Sequence, residues 1–337
     1  MSGALRSETS STTSIRREMF GVPPLVARGA LAASLLACGQ TPQPTPERTS
    51  AAPAEVHRAP SLTFAAPKRL IAIGDLHGDL GAASRALTLG GAIDKSGEWV
   101  GGDLFVVQTG DEIDRGDDDR AVLDLFDRLA EKAKPKGGTV LALNGNHELM
   151  NAQLDFRYVT EGAYRAFDEF SGAPPAGMPP QPDAHKGRAA AFFPGGAYAT
   201  KLAERPVVAI VGDSVFVHGG VSPKHVAYGL EKLDAETRDW LRGKRPAPPP
   251  VVVAEDGVVW MRSYSAAPGK EECDMLAKTL ASLGAKRLVM GHTPQKPDIS
   301  PACGEAAWRI DTGMSHHYGG PVEVLQIEGD RVTVLRE

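Results

Sequence analysis

Residues 70–79 read LIAIGDLHGD, and the fold follows from how this stretch is built. Four apolar residues in a row, Leu70 to Ile73, are what a strand buried on both faces requires. Gly74 then lets the backbone turn sharply, and Asp75 and His77 follow at once, so this strand delivers two polar side chains at its carboxyl end. The same grammar recurs outward along the chain. Residues 104–107 lead into GDEIDRG (110–116), and residues 139–143 lead into GNHE (145–148). Between them, residues 80–89 and 120–133 carry helical periodicity, the second with Val122, Leu123, Leu125, Phe126 and Leu129 on one face. The order is β-α-β-α-β, a pattern that places its chemistry at the carboxyl ends of the strands. Asp117, Asp118 and Asp119 read as capping residues of the second helix.

An insertion follows at about 151–204, rich in Pro and Gly at its centre and helical in pattern over 158–170; it is expected to cap one edge of the site. The remainder is richer in strands. Residues 207–211 and 215–217 flank Gly212-Asp213 as a hairpin and deliver His218 within VHGG. Helices are expected at 226–232, 235–242 and 275–283. A strand at 258–261 should end at Arg262, and one at 287–290 should end at His292 within GHT. Antiparallel strands at 308–310, 322–327 and 332–335 close the chain. Two strand-rich halves with helices outside make a layered α/β protein, a β-sandwich wrapped by helices.

The chain has 337 residues, 42% hydrophobic and 23% charged, enough for one large core. A net charge of −5 gives no broad basic field, so nucleic acid is not an expected partner. The amino end differs in kind. Arg16 and Arg17, a short apolar segment at 29–37 and then Cys38 follow the order of a secretory signal, and Leu35-Leu36-Ala37-Cys38 resembles a bacterial lipobox. Residues 1–37 are thus expected to be a leader, with twin-arginine export as a variant, and Cys38 to be lipidated. Residues 38–67, dense in Pro, Thr and Ala, read as a disordered tether. On this reading the protein is held on the periplasmic side of a bacterial cell envelope, touching membrane only through its lipid. The alternative is a cytoplasmic protein with a disordered tail. Lipidation of Cys38 leaves Cys273 and Cys303 as an even pair, a candidate disulfide; two buried free thiols are the alternative.

Carboxylate and imidazole donors with a shared anionic bridge suit a pair of hard cations at a hydrolytic site. Asp75 and His77 reach one ion from one loop, Asp111 bridges, and Asn146, His218 and His292 complete the second. His147, next to a ligand, is assigned as general acid, with Asp114 orienting it. Arg115 and Arg262 are candidate clamps for phosphate oxygens, with Asn146 beside them and Arg157 as a further candidate. His185, His225, His316 and His317 read as ordinary surface or loop residues. Two such ions generate hydroxide near neutral pH and hold the oxygens of an in-line displacement at phosphorus.

In this order, GDLHGD, GDEIDRG, GNHELMN, VHGG and GHTPQ resemble the calcineurin-like metallophosphoesterases, within them the phosphoprotein phosphatase superfamily, and most of all the Shewanella-like protein phosphatases. The resemblance covers residues 70–336. It implies an αββα sandwich, two metal ions (manganese, iron or zinc) and phosphomonoester hydrolysis; the first expectation is a protein phosphatase acting on phosphotyrosine or phosphoserine/threonine, its partner a phosphorylated protein, peptide or small ester. The roles given above to Asp75, His77, Asp111, Asn146, His147, His218 and His292 correspond to those of the family. The SAPNY loop of the eukaryotic branch is replaced by IDTGMSHHYGG (310–320), so substrate preference does not transfer. The alternatives are a small-molecule phosphohydrolase, such as a dinucleoside polyphosphate hydrolase, and an inactive surface binding protein.

Overall fold

The computed structural model describes residues 61–337; the leader, Cys38 and most of the tether lie outside the described residues. The strands are short: β1 (Thr63–Phe64), β2 (Leu70–Ile73), β3 (Phe105–Gln108), β4 (Thr139–Ala142), β5 (Val208–Val211), β6 (Ser214–Val217), β7 (Arg287–Met290), β8 (Ser300–Ala302), β9 (Ala307–Arg309), β10 (Glu323–Glu328) and β11 (Arg331–Arg336). They form two mixed sheets, ordered β11-β10-β2-β3-β4 and β1-β5-β6-β7-β9-β8. Strands β2, β3 and β4 run parallel, and so do β6, β7 and β9.

The alternation of side chains along each strand builds the layers. Leu70, Ala72, Phe105, Val107 and Leu325 of one sheet meet Ala209, Val211, Phe216, Val289 and Trp308 of the other, forming the apolar seam between the sheets. The intervening residues Ile71, Ile73 and Val106 face away from the seam. They pack on α1 (Leu80–Leu89) and α2 (Asp119–Ala133). Likewise Val208, Val215, Val217, Leu288 and Met290 pack against α8 (Leu230–Leu241) and α10 (Lys270–Leu283). Helix, sheet, sheet, helix is therefore what two-sided apolar strands produce when both faces are covered.

Between β4 and β5 lie α3 (Asn146–Ala152), α4 (Glu161–Arg165), α5 (Lys186–Phe192) and α6 (Ala197–Leu202). The continuous helix expected over 158–170 is broken into α4 and a 3-10 turn at Asp168–Gly172. Helix α7 (Pro223–Tyr228) is separated from α8 by Gly229, at φ +99°, and α9 (Pro250–Val253) precedes the segment expected as a strand at 258–261. That expectation fails: the segment is a turn. Its polar groups serve loops rather than a neighbouring strand, since the Val258 carbonyl accepts from Gly219 and Gly220. The ordered domain also begins earlier than residue 68. Thr63 and Phe64 pair in parallel with Ile210 and Val211, and Leu62 is buried, so the tether reading is corrected at its end. A two-residue strand is too short to show periodicity. The strand at Ala307–Arg309, expected as antiparallel, lies parallel to β7 and antiparallel to β8.

Cys273 of α10 and Cys303, after β8, are joined by a disulfide across a separation of 30 residues. The loop it closes contains β7 and His292, so the bond ties a site-bearing segment to the outer helix. Replacing both cysteines with alanine is expected to lower unfolding free energy by ~3–4 kcal/mol under non-reducing conditions, from loop closure. Denaturant titration checks this; an unchanged midpoint would contradict it.

Candidate metal centre

Six parallel strand ends, three from each sheet, meet at one edge of the sandwich. After β2 come Asp75 and His77, after β3 Asp111, Asp114 and Arg115, and after β4 Asn146 and His147. From the second sheet, β6 leads to His218, β7 to His292 and β9 to Asp311. Asp75, His77, Asp111, Asn146, His147, His218 and His292 are all buried. The structure therefore brings together every residue assigned to the metals.

The orientation of each imidazole is set by its backbone partner. His77 donates from Nδ1 to the Ile113 carbonyl at 3.1 Å, His218 from Nδ1 to Thr109 at 3.0 Å, and His292 from Nε2 to Trp260 at 3.0 Å. In each ring the opposite nitrogen is then a lone pair directed inward. His218 Nε2 lies 3.1 Å from His292 Nδ1, 2.8 Å from Asn146 Oδ1 and 3.2 Å from Asp111 Oδ2. Four acceptors face one another at contact distance, and a cation satisfies them all. Burial pushes the His292 ring down to about 2, helped by His218, and the His77 ring down to about 3. Neutral imidazole is the form that ligates.

His77 Nε2 stands 3.9 Å from both Asp75 Oδ2 and Asp111 Oδ2. Asp111 thus belongs to two groups of donors, one with Asp75 and His77 and one with His218 and His292. A carboxylate shared by two donor groups is the arrangement of a binuclear centre. Burial, with the neighbouring Asp311 and Asp111 carboxylates, raises Asp75 well above the usual range, a repulsion that a bound cation relieves. The donor set fits two metal ions.

The loops around these donors are tightly built. His77, Asp111, Asp114, Arg115 and His292 all adopt positive φ, between 47° and 71°. Leu76 and His77 donate backbone N–H groups to Asp111 O, and the buried Glu148 carboxylate accepts from Asp111, Glu112 and Gly145 at 2.7–2.9 Å. The two sheets are joined where His292 N donates to the Asp75 carboxylate. Gly291 and Gly145 are required by close approach, because a Cβ at either would collide with the Asp75 or the Asp111 carboxylate.

His147 donates from Nδ1 to Asp114 Oδ2 at 2.7 Å, while its Nε2 faces Asp111 Oδ2 at 3.7 Å. Burial of the ring opposes its charge, but Asp111 and Asp114 outweigh this and raise its affinity for a proton. Arg115 is half-buried between the Tyr158 and Tyr318 rings, 4.4 and 5.2 Å from their centroids. Its Nε has no partner among the described residues. Arg262 is exposed in a groove with Trp260, and Arg157 is paired with Asp155.

Asp311 was not singled out in the sequence, and Asp119 and His225 take places other than those read from it. Asp311, buried with Oδ2 unpartnered, follows an apolar run as Asp75 does, so the same rule points to it. Asp119, read as a helix cap, instead accepts the Asp114 N–H and pairs with the buried Arg188. His225, read as a surface residue, is buried and holds Ser222 N and Asp256 O. His316 and His317 are exposed and line a groove beside His77 and Arg115.

Residues 68–296 match the calcineurin-like phosphoesterase family. The chain belongs to this family. It is 38% identical over 300 residues to Shewanella-like protein phosphatase 2 of Arabidopsis thaliana, covering 79% of this chain and 77% of the relative. It is 28% identical over 282 residues to Shewanella-like protein phosphatase 1 of Plasmodium berghei, with 80% and 74% covered. The solved cold-active protein-tyrosine phosphatase of a psychrophilic Shewanella species shares the fold, with a TM-score of 0.65 at 23% identity over 82% of this chain and 80% of that one. The protein is accordingly a metal-dependent phosphoesterase with an αββα core.

Asp111→Asn is expected to abolish turnover and to empty both positions, read as metal content by elemental analysis. His147→Asn should keep the metal and lower kcat by about 10²–10⁴-fold. Metal lost from His147→Asn would make that residue a ligand, and turnover retained by Asp111→Asn would refute the bridge.

Proposed function

We propose that this phosphoesterase is a protein phosphatase whose favoured substrates are phosphotyrosyl peptides, with phosphoserine and phosphothreonine as weaker ones. The observation that carries the reading is the rim of the site. Tyr158 is partly exposed and lies against the His147 ring at 5.1 Å, and Tyr318 lies against His77 at 5.5 Å. If His147 protonates the departing oxygen, whatever that oxygen carries leaves past Tyr158. An aryl ring gains contact there, whereas a short alkyl chain gains little.

Two bound cations would supply the charge that draws phosphate in and activates water for in-line attack. The chain's own groups do the rest. Arg115, held between its two tyrosines, offers a planar fork to phosphate oxygens. As the bond between phosphorus and the ester oxygen breaks, the His147 Nε2 proton passes to that oxygen and Asp114 stabilises the ring through the transfer. A groove of about 390 Å³ borders His77, Arg115 and His317, and another of about 570 Å³ borders Trp260 and Arg262. These leave space for residues flanking the phosphorylated side chain, which supports a polypeptide substrate. The Shewanella-like protein phosphatase names of its relatives agree with this reading.

Manganese-loaded protein assayed on a phosphotyrosine peptide, a phosphothreonine peptide and a diadenosine polyphosphate should turn over the first most efficiently. Tyr158→Ala should lower kcat/KM on the phosphotyrosine peptide about two- to tenfold more than on the phosphothreonine peptide, the worth of one aromatic contact, since the loosened hold on Arg115 is common to both. Faster hydrolysis of the dinucleotide would instead make the protein a small-molecule phosphohydrolase.

A further inference from the structure

We propose that Arg188, supplied by the insertion, is a positioning residue for phosphoryl transfer: it locks the Asp114 carboxylate that holds His147. This rests on the reading of His147 as proton donor. Arg188 is fully buried in α5, where a guanidinium persists only if its charge and its N–H groups are met. It meets them in one place. Nε donates to Asn151 Oδ1 at 2.7 Å, Nη1 to the Ala163 carbonyl at 3.2 Å, and Nη2 to Asp114 Oδ1 at 2.9 Å, with Asp119 Oδ2 at 2.7 Å. Phe167 and Phe192 lie 5.2 and 5.0 Å from the guanidinium carbon and close off its surroundings from water.

The consequence for Asp114 is geometric. Its Oδ1 accepts from Arg188 and from Asn151 Nδ2, the latter at 2.9 Å, so the carboxylate is held in one rotation with Oδ2 aimed at His147 Nδ1. Asn151 also donates to the His147 carbonyl, fixing the backbone of the proton donor. Asp119, the second partner of Arg188, accepts the N–H of Asp114, whose φ is +71°. Arg188 therefore sets both the side chain and, through Asp119, the backbone of the residue that aims the donor. A salt bridge serving only to pin the insertion would not need to end on this carboxylate. A planar fork that reaches Asn151, Ala163, Asp114 and Asp119 at once is not reproduced by lysine.

A positioning role acts on proton delivery, so its loss is felt in proportion to how much the leaving oxygen needs a proton. The test compares kcat of the full, manganese-loaded chain on phenyl phosphate and on 2,4-dinitrophenyl phosphate, whose leaving group departs without protonation. Arg188→Lys is expected to lower kcat on phenyl phosphate by about tenfold or more and on the dinitrophenyl ester by less than about twofold, with metal content unchanged. Asn151→Ala, which removes the other Oδ1 donor and the acceptor of Arg188 Nε, should show the same selectivity and serves if Arg188→Lys does not fold. Equal losses on both esters, or no loss, would overturn the proposal and leave Arg188 as a fastener of the insertion. His147→Asn measured in parallel separates the two readings. If it too lowers both rates equally, the proton-donor assignment fails; if it is selective and the Arg188 and Asn151 variants are not, only the present inference fails.

Discussion

Four lone pairs pointing at one another around the Asp111 carboxylate are the constraint to which the rest of this site answers. Imidazole nitrogens whose opposite faces are committed to backbone carbonyls have no proton to offer inward, and buried acceptors left facing acceptors are costly. A bound cation turns that liability into affinity. The backbone shows the same tension. Five residues of the centre sit at positive φ, each costing on the order of 1–2 kcal/mol for a side chain with a Cβ. The hydrogen bonds that the Glu148 carboxylate accepts and the cross-loop bonds to Asp111 O offset that strain.

The layered architecture is what makes the convergence possible. Because β2, β3 and β4 run one way in one sheet and β6, β7 and β9 run together in the other, all six ends open on one edge. The seam of Leu70, Phe105, Phe216, Val289 and Trp308 sets the spacing of the two sheets, and the bond from His292 N to Asp75 closes it at the site. Chemistry and packing are thus fixed by the same short strands, which carry mainly apolar side chains on both faces and present the polar groups of the site past their ends.

That division explains what the sequence discloses. A candidate ligand immediately after an apolar run is a local feature, so Asp75, His77, Asp111, Asn146, His218 and His292 are legible together with their strands. Asp311 obeys the same rule after residues 308–310, but its place at the site depends on β9 pairing in parallel with β7, which the sequence does not display. Arg188 was not legible in any local sense. It stands in an Ala-rich segment where arginine ordinarily reads as surface, and its partner Asp114 is 74 residues away. Asp119 was hidden for a related reason, since its position at a helix start suits a cap as well as a buried ion pair. Residues 258–261 misled in the opposite direction, their apolar run being spent on packing a turn whose carbonyls hold the His218 and His292 loops.

The central claim is that one carboxylate is shared by two ions. Crystals of the manganese-loaded protein, measured at the metal's absorption edge, test it most directly. The account requires two anomalous peaks about 3.5–4 Å apart, both in contact with Asp111, one also against His77 and the other against His218 and His292. A single peak, or a pair with Asp111 touching only one, would contradict it.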